Sequence, residues 1–150
     1  MSLKEQIDSA IKKAMLAKNK DELRALRAIK SLILLAESDK NATGDLDRNA
    51  EIRLLTKAVK QRKESLQIYA EQGRDDLAEK EKVELEVIGR YLPKQMSEEE
   101  VESEIRLIML AVGAEGPSDM GKLMGAATKK LAGKADGRLI AETAKRLLNN

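Results

Sequence analysis

The sequence contains no cysteine and no histidine among its 150 residues. Without cysteine the chain has no disulfide and no thiol nucleophile, and without either residue the common Cys/His zinc sites are excluded. Mechanisms that depend on an imidazole base are excluded as well. Any chemistry of this chain must therefore use carboxylates, cations, hydroxyls or the backbone.

Aromatic residues and long apolar runs are also scarce. There are two tyrosines, no phenylalanine and no tryptophan, so the core must be aliphatic. The longest aliphatic stretch, residues 32–36, is far shorter than the roughly 20 residues that cross a bilayer. The first residues lack the apolar centre of a signal peptide. We expect a cytoplasmic protein without membrane contact.

Apolar residues recur every three or four positions along the chain, which predicts seven amphipathic helices. A turn is predicted at residues 41–45. Other signals mark helix starts, by capping or by position: Asp21, Asp47, Asp75 or Asp76, Ser97 with Glu100, and Asp136. Glycines mark helix ends: Gly73, Gly113 and Gly133. No segment alternates with period two, so the predicted fold class is all-α.

The sequence suggests a boundary between two parts near Pro93, which follows the end of one helix, and Ser97, which can cap the next. We predict an N-terminal bundle of long helices, residues 1–95, and a small C-terminal three-helix unit, residues 96–150. Overall net charge is only +2, which is not typical of a strongly cationic nucleic-acid binder. The balance hides an asymmetry, because residues 96–116 carry one basic and six acidic side chains, whereas residues 117–150 carry seven basic and three acidic ones.

The predicted third helix carries one polar residue, Arg62, on its apolar seam. A buried arginine needs a carboxylate partner, and Glu81 or Glu84 on the next helix can supply it. A carboxylate pair three residues apart can also perform acid–base work or bind a metal, but ion pairing is the more ordinary role.

The third helix also has a basic face that includes Lys57 and could bind phosphate. Glu64 and Glu71 are interspersed with these cations and favour a mixed surface instead. A solvated face is therefore the more ordinary interpretation.

Two glycines interrupt the predicted sixth helix. Gly121 and Gly125 are four residues apart, and each costs roughly 1 kcal/mol relative to alanine inside a helix. We therefore expect close approach of another helix or of a ligand. The helix start can attract phosphate through its free N–H groups, but Asp119 already places a negative charge there.

Cationic residues follow on and between the last two helices: Lys122, Lys129, Lys130, Lys134, Arg138 and Lys145. Structured RNA can bind such a surface through its phosphates. The scarcity of aromatic side chains argues against stacking of single-stranded bases. The alternative is that these lysines only keep the surface solvated.

Five short blocks stand out along the chain: Lys60-Gln61-Arg62 with Ser65 and Tyr69; Arg74-x-Asp76-Leu77-Ala78 with Glu81 and Glu84; Tyr91-Leu92-Pro93; Asp119-Met120-Gly121-Lys122 with Met124 and Gly125; and Ala135-Asp136-Gly137. In this order and spacing they resemble the YqeY family, the free-standing relatives of the tail domain of the amidotransferase subunit GatB.

The resemblance implies an all-helical fold and a tail-like part at residues 96–150. In GatB that tail docks on the outer corner of tRNA, and the full enzyme amidates Glu or Asp misacylated onto tRNA. Lys122, Lys129, Lys130 and Lys134 match the basic surface of the tail. The GatB catalytic cradle, with its ATP and metal site, has no counterpart here.

These observations predict an accessory protein that binds tRNA or a tRNA-processing complex through the C-terminal helices. One alternative is a carbon–nitrogen ligase that takes its amide nitrogen from glutamine and acts only with partner subunits. The other is a helical protein-interaction module. We name no catalytic residue, metal ligand or cofactor for this chain.

Overall fold

A computed structural model describes residues 1–39 and 44–150; the predicted turn at residues 41–45 lies largely outside these ranges. The described residues form seven α-helices and no strand, which confirms the predicted all-α class. The helices are α1 (Leu3–Leu16), α2 (Lys20–Glu37), α3 (Arg48–Glu71), α4 (Asp75–Gly89), α5 (Glu98–Val112), α6 (Met120–Lys130) and α7 (Gly137–Leu148). A short 3-10 turn, Pro117–Asp119, precedes α6. In the described part of the chain, none of the helices has the length and apolar character that a membrane crossing requires.

Local capping sets most helix boundaries. Ser97 and Glu100 form the predicted capping box of α5, and Gly113 ends that helix with a φ of 70°. Asp136 caps α7 by accepting the backbone N–H of Arg138. One predicted cap is wrong: Asn19, rather than Asp21, caps α2, because the Asn19 side chain accepts the N–H group three residues ahead and Asp21 already lies in the first turn.

The chain divides into two compact units, Met1–Leu92 and Pro93–Asn150. In the first unit α2 packs against α1, α3 and α4, and its buried side chains Leu26, Ile29 and Ile33 form the centre of an aliphatic core. A buried carboxylate joins two helices there, since Glu51 of α3 accepts the backbone N–H of Leu3 at 2.6 Å.

The second unit has a separate aliphatic core. Its three helices, α5, α6 and α7, all contact one another. The core is built from buried residues of each helix, including Ile105, Leu123 and Ile140. Because these apolar side chains point inward, the charged residues between them lie on the outer surface.

Candidate nucleic-acid interface

The six predicted RNA-binding cations all lie exposed on the second unit. Helix α6 carries Lys122 and Lys129, which are seven residues apart and therefore lie on one side of the helix, opposite buried Leu123 and Ala127. Lys130 ends the same helix. Lys134 lies in the connection to α7, and α7 carries Arg138 and Lys145, again seven residues apart. Each helix thus presents cations away from the core.

Two of these six cations already have carboxylate partners. The Lys130 ammonium lies 3.2 Å from Glu104 of acidic helix α5, and the Arg138 guanidinium lies 3.4 Å from Glu142 one turn further along α7. Exposed pairs of this kind contribute about 0–1 kcal/mol. Both side chains are therefore poorer candidates for phosphate than an unpaired lysine, although neither is held strongly.

Helix α5 also neutralises a cation that is not among the predicted six. Arg146 of α7 donates to Glu102 at 3.1 Å, and Arg106 donates to the same oxygen at 3.1 Å. Hydrogen bonds from Arg146 and then Arg106 lower the pKa of Glu102. The pair of Glu102 with Arg106 can be predicted from the sequence, because the two residues are one helical turn apart. The pair of Glu102 with Arg146 cannot, because 44 residues separate them.

Lys122 reaches toward the C-terminal end of α5. A Cβ placed on Gly113 would lie 4.0 Å from the Lys122 ammonium. Asp119 accepts the backbone N–H groups of Glu115 at 2.9 Å and Gly116 at 3.4 Å. These two hydrogen bonds are the main reason that the pKa of Asp119 is lowered, and Lys122 adds a smaller attraction. The anion at the start of α6 is thus the protein's own carboxylate, as the sequence indicates.

The remaining three cations have no partner of opposite charge within the described residues. In residues 1–39 and 44–150, Lys129, Lys134 and Lys145 take part in no ion pair and donate no side-chain hydrogen bond. The Lys134 backbone is fixed, since its carbonyl accepts the N–H of Met96 at 2.8 Å. Together with Lys122 they form the unpaired lysine group of the second unit.

Gly121 and Gly125 border this lysine group on α6, and helix packing does not explain them. A Cβ built on either glycine would have no non-local heavy atom within 4 Å in the described part of the chain. Of the two expected reasons, a crossing helix is not found among the described residues, because both positions are exposed; close approach of a ligand stays a prediction. They form a strip of bare helix backbone beside Lys122 and Lys129.

The predicted polar seam of the first unit is an ion-pair cluster. Arg62 Nε donates to Glu84 Oε2 at 3.0 Å, and only 15% of either side chain is exposed. Arg24 of α2 approaches the other oxygen of Glu84 at 3.8 Å. Among the described residues Glu81 has no such pair; its pKa is raised by burial and then by repulsion from Glu84. Two arginines around one carboxylate explain this seam without a metal, and no set of three or more acidic side chains in the described residues is arranged to hold one.

The fold and these surfaces define a small all-α protein with an exposed group of unpaired lysines. The sequence profile of the Yqey-like protein family matches residues 4–148, so the chain belongs to the YqeY family.

Curated relatives come from fungi. The protein named "Altered inheritance of mitochondria protein 41, mitochondrial" of Clavispora lusitaniae is 38% identical over 97 residues, which cover 63% of this chain and 55% of the relative. The protein of the same name from Lachancea thermotolerans is 33% identical over 110 residues, 72% of this chain and 58% of the relative. The one from Pyrenophora tritici-repentis is 28% identical over 132 residues, 87% of this chain and 71% of the relative.

The matched region spans little more than half the length of the first two relatives. Their names describe mitochondrial proteins, and this contradicts the expected cytoplasmic location. That expectation is wrong because it rests on short apolar runs and on the lack of a secretory signal pattern, which do not distinguish the cytoplasm from a mitochondrion.

Proposed function

We propose that this chain is an accessory RNA-binding protein, related to the tRNA-dependent amidotransferase, that contacts the phosphates of a folded RNA of the tRNA type. The observation that supports it best is the unpaired lysine group beside the bare backbone of Gly121 and Gly125. Lysine is a point charge that suits phosphate without reading bases, so such a surface recognises shape and charge.

The charge pattern limits which cations of the second unit are available to phosphate. Carboxylates of acidic α5 form ion pairs with Lys130 and Arg146, whereas Lys129 and Lys145 form none in the described residues. Asp119 and Asp136 accept backbone N–H groups, and neither forms an ion pair with a lysine in the described residues; Lys122 is attracted to Asp119 only weakly. The positive field of α6 and α7 is therefore only partly cancelled.

Charge reversal tests this proposal. We expect Lys122→Glu with Lys129→Glu to weaken binding of a transcribed tRNA at least 10-fold at about 0.1 M salt, because two phosphate contacts become repulsions. The slope of log affinity against log salt should fall by about 1.5. Fluorescence anisotropy across a salt series measures both quantities.

The control is Lys12→Glu with Lys13→Glu, which makes the same charge change on exposed residues of α1. A second variant, Lys129→Gln with Lys145→Gln, leaves the surroundings of Asp119 intact if the charge reversal disturbs folding. Wild-type affinity that does not change with salt, or equal weakening in the control, would contradict the proposal.

The glycines give an independent test in which stability and binding move in opposite directions. Gly121→Ala with Gly125→Ala should raise the free energy of unfolding by about 1–2 kcal/mol, since both are exposed helix positions with room for a methyl group. The same variant should bind tRNA several-fold more weakly if RNA backbone lies against α6. Urea unfolding and anisotropy measure the two effects. Gly89→Ala on α4 is the control, and unchanged affinity in the double variant would refute close approach.

An interaction module for a protein partner is the second candidate, because two leucines of α5 are exposed. Leu107 and Leu110 lie three residues apart and expose 56% and 81% of their surfaces. The ligase alternative requires partner subunits that bring ATP and glutamine chemistry. Salt-insensitive binding to a purified protein that is lost in Leu107→Ser with Leu110→Ser would favour the module, and ammonia transfer only in a reconstituted mixture would favour the ligase.

A further inference from the structure

A second cationic surface lies on α3, in the first unit. Residues 52–63 include five basic side chains and no carboxylate. Arg62 turns inward to Glu84, as described above. The other four are exposed and take part in no ion pair or side-chain hydrogen bond in the described residues: Arg53, Lys57, Lys60 and Lys63.

Helical geometry aligns three of these cations. Arg53, Lys57 and Lys60 follow an i, i+4, i+7 pattern and therefore lie on one face. At a rise of 1.5 Å per residue they cover about 10 Å along the helix axis. On the opposite side of α3, Leu55 and Ala58 are fully buried in the core. This packing holds the helix, and with it the three cations, in place.

The neighbours of this row indicate what kind of anion it suits. Thr56 and Gln61, which flank it, are exposed and polar, and one exposed carboxylate, Glu64, follows Lys60 by one turn at the C-terminal end of the row. A helix that lies on an anionic membrane needs an apolar strip next to its cations, and the apolar strip of α3 is buried in the core. Regularly spaced cations with hydrogen-bonding neighbours instead match a rigid polyanion with regularly spaced phosphates.

We propose that the outer face of α3, Arg53, Lys57, Lys60 and Lys63, is a second phosphate-binding surface that contacts the backbone of a double-helical RNA segment. The inference rests on the proposed function for the class of partner, but it places the contact in the other unit. Each of the two cationic faces then contributes its own part of the salt dependence of RNA binding.

The experiment uses the full chain with two probes, a transcribed tRNA and a 16-base-pair RNA duplex. In Arg53→Gln/Lys57→Gln/Lys60→Gln we expect at least 10-fold weaker duplex binding at about 0.1 M salt, and a salt slope lower by about 2 to 3. The matched control, Arg27→Gln/Lys12→Gln/Lys13→Gln, removes one arginine and two lysines from exposed positions of α1 and α2 that form no ion pair with any described residue. It should stay within 3-fold of the wild type.

The outcomes separate the two proposals. Loss of binding in the α3 variant but not in Lys129→Gln with Lys145→Gln supports this inference and refutes the C-terminal interface. The reverse result refutes this inference alone. An equal loss in the control shows an effect of net charge and overturns it. A chain that binds neither RNA but binds phosphatidylglycerol vesicles through these residues overturns both.

Discussion

Glu84→Ala should lower the free energy of unfolding of the first unit by about 2–4 kcal/mol. The substitution removes the carboxylate that accepts the Arg62 N–H at 3.0 Å and that faces Arg24 at 3.8 Å. Breaking a largely buried pair is costly because the remaining charge stays out of water without a partner. Arg24 makes the loss larger, since its Nε and Nη2 atoms are already buried without a hydrogen-bond partner in the described residues.

Urea unfolding followed by circular dichroism measures this effect, and Glu86→Ala supplies the matched control. Glu86 lies on the same helix but is exposed, and in the part of the chain that the structure describes its one ion pair is with Arg90, one turn away. Its removal should cost no more than about 0.5 kcal/mol. Equal destabilisation by the two variants would show that the cluster contributes nothing beyond an ordinary surface pair.

The sequence predicted those parts of the fold that depend on neighbouring residues. Apolar spacing is a local property and located all seven helices in order. The Ser97–Glu100 capping box and the glycine at position 113 act within one turn of a helix, so their positions could be predicted accurately. The wrong cap at Asp21 illustrates the limit, because Asn19 competes for the same N–H groups only two residues earlier.

Features that depend on residues distant in the chain could not be predicted in detail. The seam position of Arg62 follows from the heptad pattern, but the choice of Glu84 over Glu81 and the approach of Arg24 need the packing of three helices. The Glu51 contact to the start of α1 joins residues 48 apart and leaves no sequence signal.

The same limit applies to the candidate site. Spacing placed Lys122 and Lys129 on one side of α6, since this requires only helix geometry. It could not predict that Lys130 pairs with Glu104, nor that the glycines face open space, because both depend on where α5 and α7 lie. For α3 the sequence predicts a mixed surface and a paired Arg62, but it could not predict that the exposed cations beside Arg62 form no ion pair in the described residues, because this depends on where the neighbouring helices lie.

Leu123→Ala should destabilise the second unit by about 2–5 kcal/mol and leave the first unit nearly unchanged. Leu123 is 0% exposed and belongs to an aliphatic core that contains residues of the second unit only. Removal of its side chain leaves a cavity that the surrounding helices fill only in part. We propose on this basis that two domains, close to the predicted 1–95 and 96–150, unfold as separate cooperative units.

Hydrogen exchange resolved by residue distinguishes separate from joint unfolding. In Leu123→Ala the amides of α5 to α7 should exchange faster while those of α2 and α3 keep their protection. The reciprocal variant, Leu55→Ala, removes a fully buried leucine from the first core and should produce the opposite pattern. If either variant accelerated exchange equally in both units, the chain would unfold as one cooperative unit. Loss of RNA binding in a charge variant would then also require proof that the whole chain remains folded.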